Sequence, residues 1–159
     1  MRKQMSEVGS FNVDHNRLVP GLYVSRRDVR NDCTVTTFDL RFTAPNIEPP
    51  MDVPAVHTLE HLGATFLRTG KSKQEVVYFG PMGCRTGFCL LMFGCLDPED
   101  VLGLVIGMCD FILDFEGDIP GASAGECGNY LEQNLTLAKY YASRYRSALL
   151  ENPHTVYPE

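Results

Sequence analysis

The stretch from Pro54 to Gly70, PAVHTLEHLGATFLRTG, constrains the architecture more than any other part of the chain. Proline suits the first turn of a helix, where its missing N–H is not needed, and glycine suits the position just past the last turn. The two residues therefore predict where a helix enters and leaves. Between them Val56, Leu59, Leu62 and Phe66 recur at helical spacing and predict a buried stripe. His57, Glu60, His61 and Ala64 share another side of the same helix. A helix with one side committed to a core needs a second layer to pack on.

Strand patterns supply that layer. In TTFDLRF, Phe38, Leu40 and Phe42 alternate with Thr37, Asp39 and Arg41, the period of a half-buried strand, so Arg41 points away from the apolar face. EVVYF and TGFCLLMF read as two more strands joined by the turn segment GPMGCR. A second helix follows from Asp97, a capping carboxylate, with Pro98 at its first position and Val101, Leu104, Val105, Met108 and Ile112 as its stripe. FEGDIPGASAGECGN is a glycine-rich loop, and NYLEQNLTLAKYYASRYRSALLEN, residues 129–152, reads as a long final helix. Strands and helices without a regular βαβ rhythm predict an α+β sandwich, an antiparallel sheet packed against helices. At 159 residues the chain fits one domain, spanning 1–159.

The formal charge is −6 and Lys and Arg form no cluster, so no phosphate-tracking groove is expected and nucleic acid is a poor partner. MRKQMSEVGSFN has no apolar core and is not a signal peptide. No apolar run approaches the ~20 residues needed to span a bilayer. A cytoplasmic protein is expected, with most of its 6 cysteines reduced, since there is no CxxC and no secretory context. The sequon at Asn134 falls in a helical pattern and reads as coincidental.

Histidines four apart on one helix face can reach a single ion, so His57 and His61 are candidate metal ligands. The order HxxEH reverses the zinc-protease motif and occurs in the inverzincins, so it does not fix the reaction. An amphipathic helix with two satisfied polar residues is the plainer alternative. A catalytic site needs a third ligand and an open position. The remaining histidines are His15 and His154, so the third ligand falls to Cys, Asp or Glu. Cys127, at the mouth of the predicted last helix, where backbone N–H groups favour a thiolate, is one candidate; a small packing residue is the alternative. In a metallopeptidase reading Glu60 would activate water and Glu126 or Glu132 would replace Cys127. A structural metal module would need a fourth protein ligand, and none is convincing. Cys84 stands in the glycine-bearing turn GPMGCRTG, which suits either a reactive thiol or an inert turn residue. Cys33, Cys89, Cys95 and Cys109 read as packing residues.

SFNVDH (10–15), FDLRF (38–42), HTLEHL (57–62), PMGCRTGF (81–88) and ECGN (126–129), in this order and spacing, closely resemble the LuxS family of S-ribosylhomocysteine lyases. The resemblance runs over nearly the whole chain and displaces the peptidase reading to second place. It implies that His57, His61 and Cys127 are metal ligands with a water in the fourth position. Glu60 and Cys84 match the family's two acid/base residues, and Ser10, His15 and Arg41 match substrate-binding positions. It also implies one divalent metal per subunit, Fe(II) in the cell with Zn(II) or Co(II) able to substitute, and a homodimer with active sites at the interface. Two positions depart from the family pattern: Cys89, where an aromatic residue is common, and Tyr78, where many members carry an aspartate near the substrate.

The implied substrate joins C5 of a ribose to the sulfur of homocysteine. A thioether leaves readily only if the C4 proton is acidic, which requires a carbonyl at C3, so the aldose carbonyl must migrate from C1 through C2 to C3. Each migration passes through an enediolate and moves protons between adjacent carbons, work that Lewis acidity and two positioned bases would divide. The implied products are homocysteine and 4,5-dihydroxy-2,3-pentanedione, the precursor of the autoinducer-2 quorum-sensing signal.

Overall fold

The computed structural model describes residues 8–159. Most of the polar N-terminal stretch read above, residues 1–7, lies outside them. After a short 3₁₀ turn, Gly9–Asn12, the chain forms β1 (Gly21–Arg30), β2 (Cys33–Arg41), α1 (Val53–Thr69), β3 (Val76–Pro81), β4 (Gly87–Phe93), α2 (Pro98–Asp114) and α3 (Leu135–Glu151). The four strands make one sheet in the order β1-β2-β4-β3, with every neighbouring pair antiparallel. This is the expected α+β arrangement.

One face of the sheet carries Leu22, Phe38, Leu40, Phe88, Leu90 and Met92 against the helices, which contribute Leu59, Leu62, Val105, Met108, Ile112 and Ala142 to the same core. Burying each large side chain of this kind is worth about 1.5–3 kcal/mol. Tyr145 of α3 is fully buried, and its hydroxyl donates to the Gly21 carbonyl at 2.9 Å, so its polar tip costs little. Gly63 brings α1 close to the sheet: a Cβ there would lie 2.8 Å from Cζ of Phe79 on β3. The helix bearing both histidines is therefore seated on the sheet through its backbone.

α1 begins and ends as its proline and glycine predict, with Asp52 as N-cap and Gly70 as C-cap. The Asp97 side chain and its own backbone N–H form a capping box with Asp100 at the start of α2. Several expectations are corrected. Phe66 and Leu104 are only half-buried, while Leu67, outside the expected stripe, takes a core position; Cys109 is buried as a packing residue, as expected. Cys33 and Cys95 are exposed rather than packed. Burial, with a smaller contribution from the Asp110 charge, pushes the Cys109 thiol up to about 12, which keeps it an inert packing group. β1 has no counterpart in the sequence reading. The final helix starts at Leu135, not 129, because the Asn134 side chain accepts from the Leu137 N–H and caps it.

On the other face of the sheet, Tyr23, Asp39, Cys89 and Gly80 stand opposite one another in a single row across all four strands. Arg41 lies two residues along β2 from Asp39 and shares that face, as alternation requires. The C-terminal segment crosses this side of β1, with the Tyr157 ring stacked on Tyr23 at 4.7 Å between centroids.

Candidate metal centre and reactive pocket

The ligand atoms of His57, His61 and Cys127 lie within 4.8 Å of one another. The two Nε2 atoms are 3.0 Å apart, and Cys127 Sγ is 3.4 Å from His57 Nε2. Tetrahedral ligands at metal–N and metal–S bond lengths would stand roughly 3.4 and 3.6 Å apart, so the spacing fits a small divalent ion with slight adjustment. The outward nitrogens fix the tautomers. His57 Nδ1 is 2.9 Å from the Glu132 carbonyl, and His61 Nδ1 is 2.7 Å from the Pro120 carbonyl. A carbonyl only accepts, so both Nδ1 atoms carry protons and two Nε2 lone pairs converge on one point. A cation relieves that repulsion. The Asn129 N–H donates to Cys127 Sγ at 3.4 Å.

Cys127 reaches this point from an irregular loop, not from the mouth of a helix, since α3 begins eight residues later. The helix-dipole argument therefore does not apply to Cys127. Glu126 accepts from the Ser123 hydroxyl, and the Glu132 side chain pairs with Asn129, so neither carboxylate serves as third ligand. Glu132 contributes its backbone carbonyl instead. Glu60 is half-buried on α1, immediately before His61.

A second group of residues lines a pocket of about 380 Å³ on the opposite side of the sheet, including Ser10, His15, Asp39, Arg41, Cys84 and Tyr157. Cys84 sits at the β3–β4 turn, where Arg85 adopts a left-handed φ of 58°. Its sulfur is 3.1 Å from Thr86 Oγ1 and 3.9 Å from Arg41 Nη1. Burial alone would raise this thiol, but hydrogen bonds from the Thr86 side chain and backbone and the Arg41 charge together hold it below its ordinary value. Cys89, in the same pocket, is pushed up by burial and by the charges of Asp39 and Cys84, against the pull of Arg41. Of the two neighbouring thiols, Cys84 is the one poised to ionise.

Arg41 is only 4% exposed. Its Nη2 bonds Asp39 Oδ2 at 2.6 Å and its Nη1 donates to Thr86 Oγ1 at 2.7 Å, while Asp39 also accepts from the Tyr157 hydroxyl at 2.8 Å. Asp39 Oδ1 and Arg41 Nε are buried without a protein partner. A buried cation with a spare donor beside a pocket is equipped to receive a polar ligand. Sequence reading missed Asp39, Thr86 and Tyr157 here. Asp39 was legible as the strand-face neighbour of Arg41; Tyr157 carries no signal in the sequence.

The structure thus brings Ser10, His15, Arg41 and Cys84 to one pocket, and His57, His61, Cys127 and the Glu60-bearing helix to another place. α1 packs against the inner face of the sheet, whereas the pocket opens on the outer face. Among the described residues no helix is long and apolar enough to cross a membrane.

Residues 8–156 match the family model of the S-ribosylhomocysteinase LuxS. A protein of Finegoldia magna named S-ribosylhomocysteine lyase is 49% identical over 157 residues, covering 98% of this chain and all of the relative. Proteins of the same name from Clostridium acetobutylicum and Borreliella burgdorferi are 52% and 49% identical, covering 93% and 91% of this chain and 94% and 93% of their own lengths. Nothing in these relatives supports the metallopeptidase alternative. With a family model spanning nearly every described residue, and relatives matching end to end at about half of all positions, the chain belongs to the LuxS family of S-ribosylhomocysteinases.

Proposed function

We propose that this chain, acting as one catalytic domain over residues 1–159, converts S-ribosylhomocysteine to homocysteine and 4,5-dihydroxy-2,3-pentanedione. The observation that carries the reading is the pairing of a converging His57–His61–Cys127 donor set with a separate pocket holding an acidified thiol, Cys84, beside the buried Arg41. A divalent ion held by the triad would supply Lewis acidity toward the sugar oxygens. Two imidazoles and a thiolate suit Fe(II), Co(II) or Zn(II) over Mg(II), and Fe(II) is the proposed ion in the cell.

The chain's own residues do the remaining work. Cys84 Sγ, made easier to ionise by Thr86 and Arg41, removes a proton from one sugar carbon and returns it to the next. The Glu60 carboxylate serves the complementary transfers from the metal side, including the C4 proton whose loss expels the homocysteine sulfur. Arg41, His15 and Ser10 hold the polar ends of the substrate. Such positioned bases contribute ~10² to 10⁴ each.

The two groups lie on opposite sides of one sheet. One small substrate therefore meets both only if a second copy brings its α1 to the first copy's pocket. We infer a homodimer with the pocket of one subunit completed by the metal centre of its partner. The outer sheet face supports this, since Phe11, which lines the pocket, and Tyr78, on the same face of the sheet, are 70% and 53% exposed. Localisation in the cytoplasm accords with six free thiols.

The test is a free-thiol assay on the purified, metal-loaded protein with S-ribosylhomocysteine. Homocysteine release is expected, and its absence overturns the reading. Mixing inactive Cys84→Ala and Cys127→Ala proteins should restore part of the activity, because exchange of subunits yields one intact site per mixed dimer. No recovery after demonstrated exchange overturns the shared site.

A further inference from the structure

Tyr157 stands one residue beyond the stretch that the family model matches, yet it is wired to the reactive thiol. Its ring lies nearly parallel to Tyr23, at 12°, and its hydroxyl donates to Asp39 Oδ2 at 2.8 Å. The same oxygen accepts from Arg41 Nη2 at 2.6 Å, and the other end of that guanidinium, Nη1, donates to Thr86 Oγ1 at 2.7 Å. Thr86 Oγ1 is in turn 3.1 Å from Cys84 Sγ, and Nη1 itself is 3.9 Å from that sulfur. We propose that Tyr157 is a positioning residue for Cys84, acting through Asp39 and Arg41 to set how much of the guanidinium's charge and donor capacity reaches the thiol. The role builds on the reading of Cys84 as an acid/base group, but the arrangement that carries it is independent of the substrate.

The guanidinium is shared between two claimants on one face of the sheet. Asp39 holds it back along β2; Thr86 and Cys84 hold it toward the β3–β4 turn. Asp39 Oδ1 is buried with no partner, so the phenol is one of only two side-chain donors compensating this carboxylate among the described residues. Without the phenol the carboxylate must draw more on Arg41, and less of the cation's field is left for the sulfur. Burial first, then the Asp39 charge and hydrogen bond, push the Tyr157 phenol well above its ordinary value, so it stays a donor across the working range. The other titratable groups facing this pocket are His15 from the N-terminal segment and Cys89 from β4, with Tyr23 of β1 beneath the Tyr157 ring.

The experiment follows alkylation of Cys84 by iodoacetamide from about pH 6 to about pH 10, read by peptide mass spectrometry in the metal-loaded protein and in Tyr157→Phe. The exposed Cys33 and Cys95 in the same digest serve as internal controls. Phe keeps the ring that stacks on Tyr23. The expected result is an alkaline shift of about half a pH unit in the Cys84 profile, seen as roughly threefold slower alkylation near neutrality. The plateau at high pH and the two control thiols should not move. An unchanged Cys84 profile overturns the proposal, as does equal slowing of all three thiols. If Tyr157→Phe does not fold, Tyr157→His, which keeps a ring and a donor, should restore folding with a profile nearer the parent; a profile unlike the parent's in the folded His variant also overturns it. Homocysteine release by the parent protein is measured alongside. Its absence would refute the lyase reading while leaving the alkylation result to decide the role of Tyr157.

Discussion

His57 and His61 turn their Nε2 atoms toward each other at 3.0 Å while each presents Nδ1 to a carbonyl of the loop between α2 and α3. Two neutral imidazoles so oriented oppose lone pair to lone pair, and Cys127 adds a third donor at 3.4 Å from one of them. The arrangement favours a cation at its centre. Cys127→Ala is expected to lose most of its metal at neutral pH while keeping its helical content, as checked by elemental analysis and circular dichroism. Full occupancy in that variant would remove Cys127 from the ligand set.

Gly121 guards the same geometry from outside. Its φ is +73°, and a Cβ there would approach His61 Nδ1 to 3.2 Å. Gly121→Ala should cost about 1 kcal/mol in backbone strain and weaken metal retention roughly tenfold by disturbing the His61 ring. Chelator competition measures the second effect and thermal unfolding the first.

Cys84→Ala and Glu60→Gln should both retain metal and fold, since neither side chain is needed for the three-donor set. Each should lower homocysteine release by ~10² to 10⁴. A ketose intermediate should accumulate in whichever variant lacks only a later proton transfer, visible by NMR of the released sugar. Near-normal turnover by Cys84→Ala would reduce the turn thiol to a bystander.

The acidified thiol makes a pH prediction with a definite sign. Thr86 hydrogen bonds and the Arg41 charge outweigh burial and lower the Cys84 value, so the active thiolate is present below the ordinary thiol range. Thr86→Val removes the hydroxyl but not the volume. Its Cys84 should titrate higher, and the rising limb of its pH–rate profile should move toward alkali. An acid shift, or none, would contradict the assigned cause.

Arg41 separates from the other two substrate contacts on stability. Arg41 and Asp39 form a bridge whose side chains are 5% and 4% exposed. Removing one partner strands the other, so Arg41→Ala should destabilise the protein by about 3–5 kcal/mol as well as weaken substrate binding. Ser10→Ala and His15→Ala should raise KM with little change in melting temperature. The alternation in FDLRF places Arg41 off the apolar face, and the structure buries it on the second face, against Asp39.

What the sequence yielded follows from how local each signal is. The bounds of α1 were legible because Pro54 and Gly70 act on their own turns. β1 escaped notice because its second half, SRRDVR, is solvent-facing edge strand with no alternation to read. The stretch NYLEQN imitates a helix through Tyr130 and Leu131, but Leu131 is 79% exposed and Asn134 is a cap. That same asparagine accounts for the sequon, whose conspicuous residue has a structural task. The metal triad was visible in part from the four-residue histidine spacing, whereas the Asp39–Tyr157 bond joins residues 118 apart and only folding reveals it.

The loop between α2 and α3 holds its place on α1 by the Pro120 carbonyl, the Cys127 sulfur and the Glu132 carbonyl, all of which grip the two histidines. Local opening of this loop and dismantling of the donor set are consequently one event, not two. Amide exchange at Asn129, whose N–H faces the Cys127 sulfur, would then act as a clock for the integrity of the site. A protease that nicks this loop would be reading the same equilibrium, and the metal-loaded protein should survive it longest.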